Sequence, residues 1–556
     1  MPTSTDVGRV GPRRLVAAPD VTDVGIATRQ GWATADLTKD WAATGVATAI
    51  GILPALLLSQ VPLVAALAAA VVVACGLAFW ADRTGAAPLV LSLVPATILA
   101  NSGLMPAATY FLPTATLGLA LVLHEAAATV RSRSIPPLPS RLLVSCAVLY
   151  VFAAVLSTVF SIRPATSVPY LVGIVIILVV TLWLGPWILS SSARIASLFA
   201  LIGAAGVAMT ALSFFFSLTG PLLWFGRWLG VYLVEELTIN GHPTGLILLR
   251  ATGPYLAPGS QALALVPAIL ALLAIRPGLG RRGQLVIGLA LVVVTAGLLA
   301  TFSRAGWLAA ILGSALLAVQ HVRSRRIDLA AVSVFAVMTV SFGALLMNMI
   351  GADYRTDLTV ARIPAAGLVE ATSSDEGALD LLPTVPSVVP PGSSLAPNAS
   401  QPVVNNRGGS ELSGRLEIWS ASVRAIEDSP LVGYGPGTNA IVIDPYLTGV
   451  SRRFVGLTSH NTWLRTWLEF GVFGILGFAG FILATLIGGL RGGSTSPQRQ
   501  SLRMGALAIF VGLIAAQGFE TFLLGGVSMP SFVWSMAAGL LALSTVRGSV
   551  SEPAAT

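Results

Sequence analysis

The side chains best suited to chemistry in this chain are few. His460 stands in LTSHNTWLRTWLEFG, with Asn461 directly after it. Arg304 stands in TFSRAGW, Arg415 opens RLEIWSASVRAIEDSPL, and Arg250 stands in LLRATGPYLAPGSQ. An imidazole titrates near neutrality and takes a proton from a hydroxyl at ambient pH. Asn461 could orient that imidazole or a substrate. A guanidinium makes bidentate contacts to phosphate, and a low local dielectric strengthens them. Three such cations at one boundary would suit an anionic headgroup. Each residue also has a plainer reading. Arg304 could snorkel to lipid headgroups, Arg250 and Arg415 could be solvated charges, and a lone histidine is more often structural. The other histidines are placed less suggestively: His124 and His321 at span ends, and His242 in a loop after Asn240-Gly241.

Other chemistries find no support. Cys75 and Cys146 lie inside apolar runs, so they offer no disulfide framework, metal spacing or nucleophile. His460 has no histidine or carboxylate at ligand spacing, so no metal site is expected. There is no P-loop, no GxSxG and no dinucleotide fingerprint, and no cofactor is expected.

The elements that must position these residues follow from composition. Of 556 residues only 10% are charged and 55% are hydrophobic, whereas a soluble domain carries about 25% charged residues. This excludes a soluble enzyme, a nucleic-acid module and a disordered chain, and points to a polytopic membrane protein. Apolar stretches long enough to cross about 30 Å of hydrocarbon fall at 43–59, 63–80, 88–102, 107–123, 142–160, 170–189, 197–219, 262–275, 284–301, 305–320, 329–350, 471–490, 504–522 and 530–546. The expectation is an all-α fold of about fourteen transmembrane helices. The short loops on one side hold 14 arginines and those on the other hold two, Arg163 and Arg304. That asymmetry puts both termini in the cytosol. The net charge of +8 is therefore an orientation signal, and nucleic acid is not an expected partner.

The expected organisation is a cytosolic tail at 1–42 and helices 1–11 over 43–350, with an extracytoplasmic loop at 220–261. A large extracytoplasmic loop at 351–470 lies between the eleventh and twelfth helices. Helices 12–14 follow over 471–546, and a cytosolic tail at 547–556. Within the large loop, 370–410 is rich in Pro, Ser, Gly and Asn and reads as flexible. RLEIWSASVRAIEDSPL reads as an amphipathic helix with Leu416, Trp419, Val423 and Ile426 near one face. Trp463 and Trp467, spaced i and i+4, suit an interfacial aromatic belt.

Four segments in order, LLRATGPYLAPGSQAL, TFSRAGWLA, RLEIWSASVRAIEDSPLVGYGPGT and SHNTWLRTWLEFGVFGILGF, resemble the signature of the O-antigen ligase superfamily. The resemblance spans roughly residues 240–490. It implies a GT-C-like membrane glycosyltransferase in the bacterial plasma (inner) membrane, with its active site on the extracytoplasmic face. The implied donor is a polyprenyl-diphosphate-linked glycan; the acceptor is a glycolipid, a glycan or a protein, and membrane lipids surround the site. It implies that Arg304 and Arg415 bind the diphosphate and that His460 is the catalytic base. Arg250 and Asn461 are carried over as substrate-binding residues. The implied reaction is a metal-independent inverting displacement. A glycan polymerase and a protein O-glycosyltransferase are alternatives within the superfamily, and a solute transporter is a further alternative. SRAG stands where the family more often has SRG, which moves the expected hairpin glycine to Gly306.

Overall fold

The structure, a computed structural model, describes residues 139–189, 192–219, 258–323, 329–350, 411–447, 458–491, 496–519 and 529–543. It also describes short stretches between 222 and 253, at 356–357 and 406–407, and residue 521. Helix α1 (Arg141–Val159) starts at Ser140, whose Oγ accepts a hydrogen bond from the Leu143 amide at 3.3 Å. Helix α2 (Pro164–Val179) runs through a π-helical turn at Val180–Leu184 into the short α3 (Gly185–Ile188). Next come α4 (Ser192–Thr219), α5 (Pro258–Ile275), α6 (Arg281–Ala300), α7 (Arg304–Arg323) and α8 (Leu329–Ile350). The C-terminal part contributes α9 (Glu411–Asp428), α10 (Asn439–Ile443), α11 (Thr462–Arg491), α12 (Pro497–Ala516) and α13 (Met529–Leu543).

Among the described residues, seven helices are long and apolar enough to cross a membrane by length and composition. They are α1, α2 with its π turn, α4, α5, α6, α11 and α12; shorter apolar stretches lie in α7, α8 and α13. The expected spans at 43–59, 63–80, 88–102 and 107–123 lie outside the described residues, as does nearly all of 370–410. The spans are helical as expected, but the chain is not helical throughout. The segment 220–261 carries strands β1 (Leu222–Trp224), β2 (Arg227–Leu229), β3 (Leu233–Ile239) and β4 (His242–Arg250). β1 pairs with β2 and β3 with β4, both antiparallel, with Leu233 opposite Arg250. β5 (Thr356–Asp357) and β6 (Asn406–Arg407) form a third two-stranded ladder. A strand of a few residues gives a far weaker pattern than a span of twenty, so hydropathy alone does not mark these pairs.

Helix α5 lies at the centre. It is apolar on every side, and Pro258 and Ser260–Ile275 are all buried, as expected of a helix surrounded by others. Small residues bring its neighbours close. A methyl group added at Gly203 of α4 would lie 2.4 Å from Leu272, and one at Gly505 of α12 would lie 2.3 Å from Ala274. Helix α6 is peripheral and leaves Leu285, Val286, Leu289 and Val292 exposed. In water such a stripe would be a liability; in a bilayer it faces acyl chains.

A second, smaller apolar cluster caps one end of α11. It is built from Ile418, Ala421, Ala425 and Ile426 of α9, Val442 and Ile443 of α10, then Leu447 and Leu468. The amphipathic helix is therefore present, and of the expected face Ile426 is buried and Trp419 packs inward, but the other two residues do not. Leu416 and Val423 are exposed, and the inner stripe is Ile418, Ala421, Ser422, Ala425 and Ile426. Alanine and serine contribute little hydropathy, yet their small size lets α9 lie close to its neighbours.

Candidate functional site

Arg304 is the first residue of α7, directly after the tight turn from α6. The Ser303 Oγ accepts from the Gly306 amide at 3.3 Å, and the Thr301 Oγ1 accepts from the Ser303 amide at 3.2 Å. The Trp307 indole donates back to the Leu298 carbonyl at 3.0 Å, fastening the two helices. Phe302 takes the left-handed conformation in this turn, at φ 48°. The turn therefore contains no glycine, and Gly306 is not its pivot. Gly306 lies inside α7, where an added methyl would sit 2.5 Å from the Ala262 Cβ of α5. Its role is close helix packing. A guanidinium at a helix N-terminus adds its charge to the positive end of the helix dipole, which favours an anion.

Arg415 lies on the first half of α9, and its Nη1 donates to the Phe519 carbonyl at 2.7 Å. One turn later Trp419 faces the same way. Its ring centroid is 6.4 Å from that of Phe519, and its Nε1 donates to the Ser459 carbonyl at 2.9 Å. Helix α9 thus reaches across to two backbone segments, 517–519 and 459–462.

His460 lies in the second of these, immediately before α11, with its backbone at φ 44°. Left-handed backbone at a non-glycine residue costs of order 1–3 kcal/mol and persists only where the surroundings over-determine it. Here both neighbours are fixed. The Asn439 carboxamide holds Ser459 at two points, accepting from its amide at 2.9 Å and donating to its Oγ at 3.3 Å. On the other side, the Thr462 amide donates to the Gln517 carbonyl at 2.9 Å. The Thr462 Oγ1 also donates to the Gln517 Oε1, at 2.6 Å. Asn461 caps α11: its Oδ1 accepts from the amides of Trp463 at 2.9 Å and Leu464 at 3.1 Å. That oxygen serves the helix start, which Asx residues do well.

The turn 517–519 collects these elements. Gln517 holds Thr462, two residues after His460, and Phe519 holds Arg415. Helix α7 runs antiparallel to α12, with Gly512 against Ala309 and Gly313 against Ala508. Continuing that register by five residues brings Arg304 level with Gln517. Arg250, at the end of β4, is tied in more loosely. The amide of the next residue, Ala251, donates to the Ala300 carbonyl at 2.9 Å, just ahead of the Arg304 turn. Among the described residues, Phe302 and His460 are the non-glycine residues with positive φ. One lies two residues before Arg304, and the other is the candidate base itself.

Behind the site α11 is broken. It begins at Thr462, ahead of the expected span, and its backbone leaves the helix at Gly471 with φ 67° and ψ −165°. The freed groups are met by the loop after α9. Tyr434 and Gly435 donate to the carbonyls of Leu468 and Glu469 at 3.0 Å each, and Val472 donates to Pro430 at 2.9 Å. Ser157 of α1 also donates to the Glu469 carbonyl. A methyl at Gly471 would fall 2.0 Å from the Leu431 carbonyl oxygen, so only glycine fits. Irregular backbone is tolerated in a membrane protein where protein buries it. Above the break, Arg465 Nε pairs with Glu469 Oε1 at 2.9 Å, with both side chains buried, and the guanidinium lies over the Tyr170 ring at 5.6 Å. The two tryptophans of the expected belt divide. Trp467 is exposed and donates to the Pro430 carbonyl at 3.3 Å, whereas the Trp463 ring packs 5.2 Å from Phe478.

The sequence reading missed Asn439 and Gln517. Gln517 had a signal, since it is a lone amide in the apolar run ALAIFVGLIAAQGF. Asn439 sits in a turn-rich segment, where asparagine is unremarkable. Among the described residues no group of three or more His, Cys, Asp or Glu side chains is placed to hold a metal ion.

No curated protein matches the chain. A family model described as O-antigen ligase matches residues 289–479, which include Arg304, Arg415, His460 and Asn461 but not Arg250. Over that segment, about a third of the chain, the protein is similar to the O-antigen ligase family.

Proposed function

We propose that the chain is a glycosyltransferase that moves a glycan from a polyprenyl-diphosphate carrier to an acceptor hydroxyl on the extracytoplasmic face of the bacterial plasma membrane. What supports this reading is that α9 and the 459–462 segment are both bonded to the turn 517–519, while the antiparallel register of α7 on α12 runs towards the same turn. In the proposed site, His460, Arg415 and Arg304 act from these three parts of the chain.

In the proposed reaction the acceptor oxygen attacks the anomeric carbon while the bond from that carbon to the diphosphate oxygen breaks. The bonding electrons leave with the diphosphate, and His460 takes the acceptor's proton. Negative charge grows on the leaving oxygens, so Arg304 and Arg415 stabilise the transition state more than the ground state. A single in-line displacement inverts the anomeric centre. The phosphate ester supplies the energy, so no nucleotide is consumed. The same chemistry serves a ligase, a polymerase or a protein O-glycosyltransferase, which differ in the acceptor alone. Arg250 is the outlying member of the set and is proposed only as a substrate-binding residue.

The test is transfer in membranes by His460→Ala protein present at normal levels. Transfer should vanish, and retained transfer would remove His460 as the base. A periplasmic reporter inserted near residue 390 should be active; a cytosolic signal there would overturn the orientation.

A further inference from the structure

We infer that Gln517 is a positioning residue for this reaction, acting on His460 through Thr462. The inference rests on the reading of His460 as the base. Gln517 is buried completely, at the C-terminal end of α12, with its amide donating to the carbonyls of Leu513 and Ile514. A residue that merely ended a helix would need no more than that. Gln517 instead takes both donors of Thr462, the amide with its carbonyl and the hydroxyl with its Oε1. Thr462 is likewise buried, so neither bond is exchanged with water at low cost.

The consequence concerns the strained residue between the two fixed ones. Ser459 is held from the α9–α10 side by Trp419 and Asn439, and Thr462 is held from the α12 side by Gln517. His460 is thereby kept at positive φ. Without one of the two clamps, its backbone can relax towards ordinary φ values, and the imidazole swings away. Gln517 also fixes distance. Two residues on, the Phe519 carbonyl anchors Arg415, so the base and one diphosphate ligand are registered against the same turn. A displacement of about 1 Å in such an arrangement lowers turnover by as much as about 100-fold.

The experiment uses the full-length protein in nanodiscs that contain the source cells' membrane lipids as acceptor. A synthetic polyprenyl-diphosphate-linked disaccharide is the donor, and released polyprenyl diphosphate is measured. Thr462→Val is close in shape and removes the hydroxyl alone; it should lower kcat about 10- to 100-fold with the donor KM within about twofold. Thr462→Ser, which keeps the hydroxyl, should restore most of the rate. Gln517→Leu combined with Thr462→Val should be no slower than the slower single variant, since both cut one bond. Normal kcat in Thr462→Val, no rescue by serine, or additive losses would each overturn the positioning role. If His460→Ala still releases polyprenyl diphosphate, or the unmodified protein releases none when lipid, glycan and envelope-protein acceptors from the source cells are all supplied, the underlying reading fails instead.

Discussion

The helical bundle and the cap at the end of α11 are built on different principles. The bundle's interior is mainly apolar, with buried polar side chains that are mostly serine and threonine. Its helices approach through glycine and alanine, as where Gly477 of α11 meets the Tyr150 backbone of α1. The cap has a small apolar cluster, and its geometry is set by a hydrogen bond donated by Trp419 and by others accepted by the side chains of Asn439, Asn461 and Gln517. Apolar packing tolerates repacking at conserved volume, whereas a buried hydrogen-bond network fails when one member is lost. Substitutions in the cap should therefore strike activity, and substitutions in the bundle should strike stability.

The largest effect should come from His460→Ala, a loss of about 100- to 10,000-fold in transfer, read in membranes with unchanged protein level. Arg415→Lys and Arg304→Lys keep the charge but lose the planar fork, and each should cost roughly 10-fold or more in donor turnover. Full activity in either variant would reduce that arginine to a lipid contact. Arg465→Met leaves Glu469 buried without its cation and should destabilise the junction by about 3–5 kcal/mol, while Arg465→Met with Glu469→Leu should recover much of it. Thermal unfolding in detergent reads both. Gly477→Val overpacks the bundle and should cost about 1–3 kcal/mol, with the folded fraction turning over normally. If its kcat fell instead, the division between bundle and cap would not hold. The smallest effect should be that of Tyr446→Phe. Tyr446 donates to the Asp428 carboxylate, which pushes the phenol above its usual pKa, but that pair lies at the rim. Transfer should stay within about twofold.

How legible this was depended on the kind of force involved. Spans show in hydropathy because each one meets lipid or apolar neighbours along some 20 residues. Central α5 shows in hydropathy only as 262–275, which is short for a span and points to a start near Pro258; the helix does start there, and Ser260 and Gln261 of its first turn are buried with the rest. The sheet pairs at 222–250 were not legible, since their few residues carry no long-range pattern. The face of α9 was misread because Leu416 and Val423 are more hydrophobic than the alanines that actually pack.

The sequence by itself determined the class of protein, the run of helices and the residue types able to do chemistry. Composition and hydropathy are sums over many residues, and no single contact can reverse them. Only the tertiary structure decided that Arg415 and the segment holding His460 are tied to the turn 517–519, and that α7 runs antiparallel to α12. It also decided that Asn461 spends its oxygen on a helix cap and that Gln517 holds Thr462. Those outcomes depend on which helix ends come together, and that is set by close packing of α7 on α12 and of α9 over α11. Residues 45 to 213 positions apart have no local pattern that could announce it.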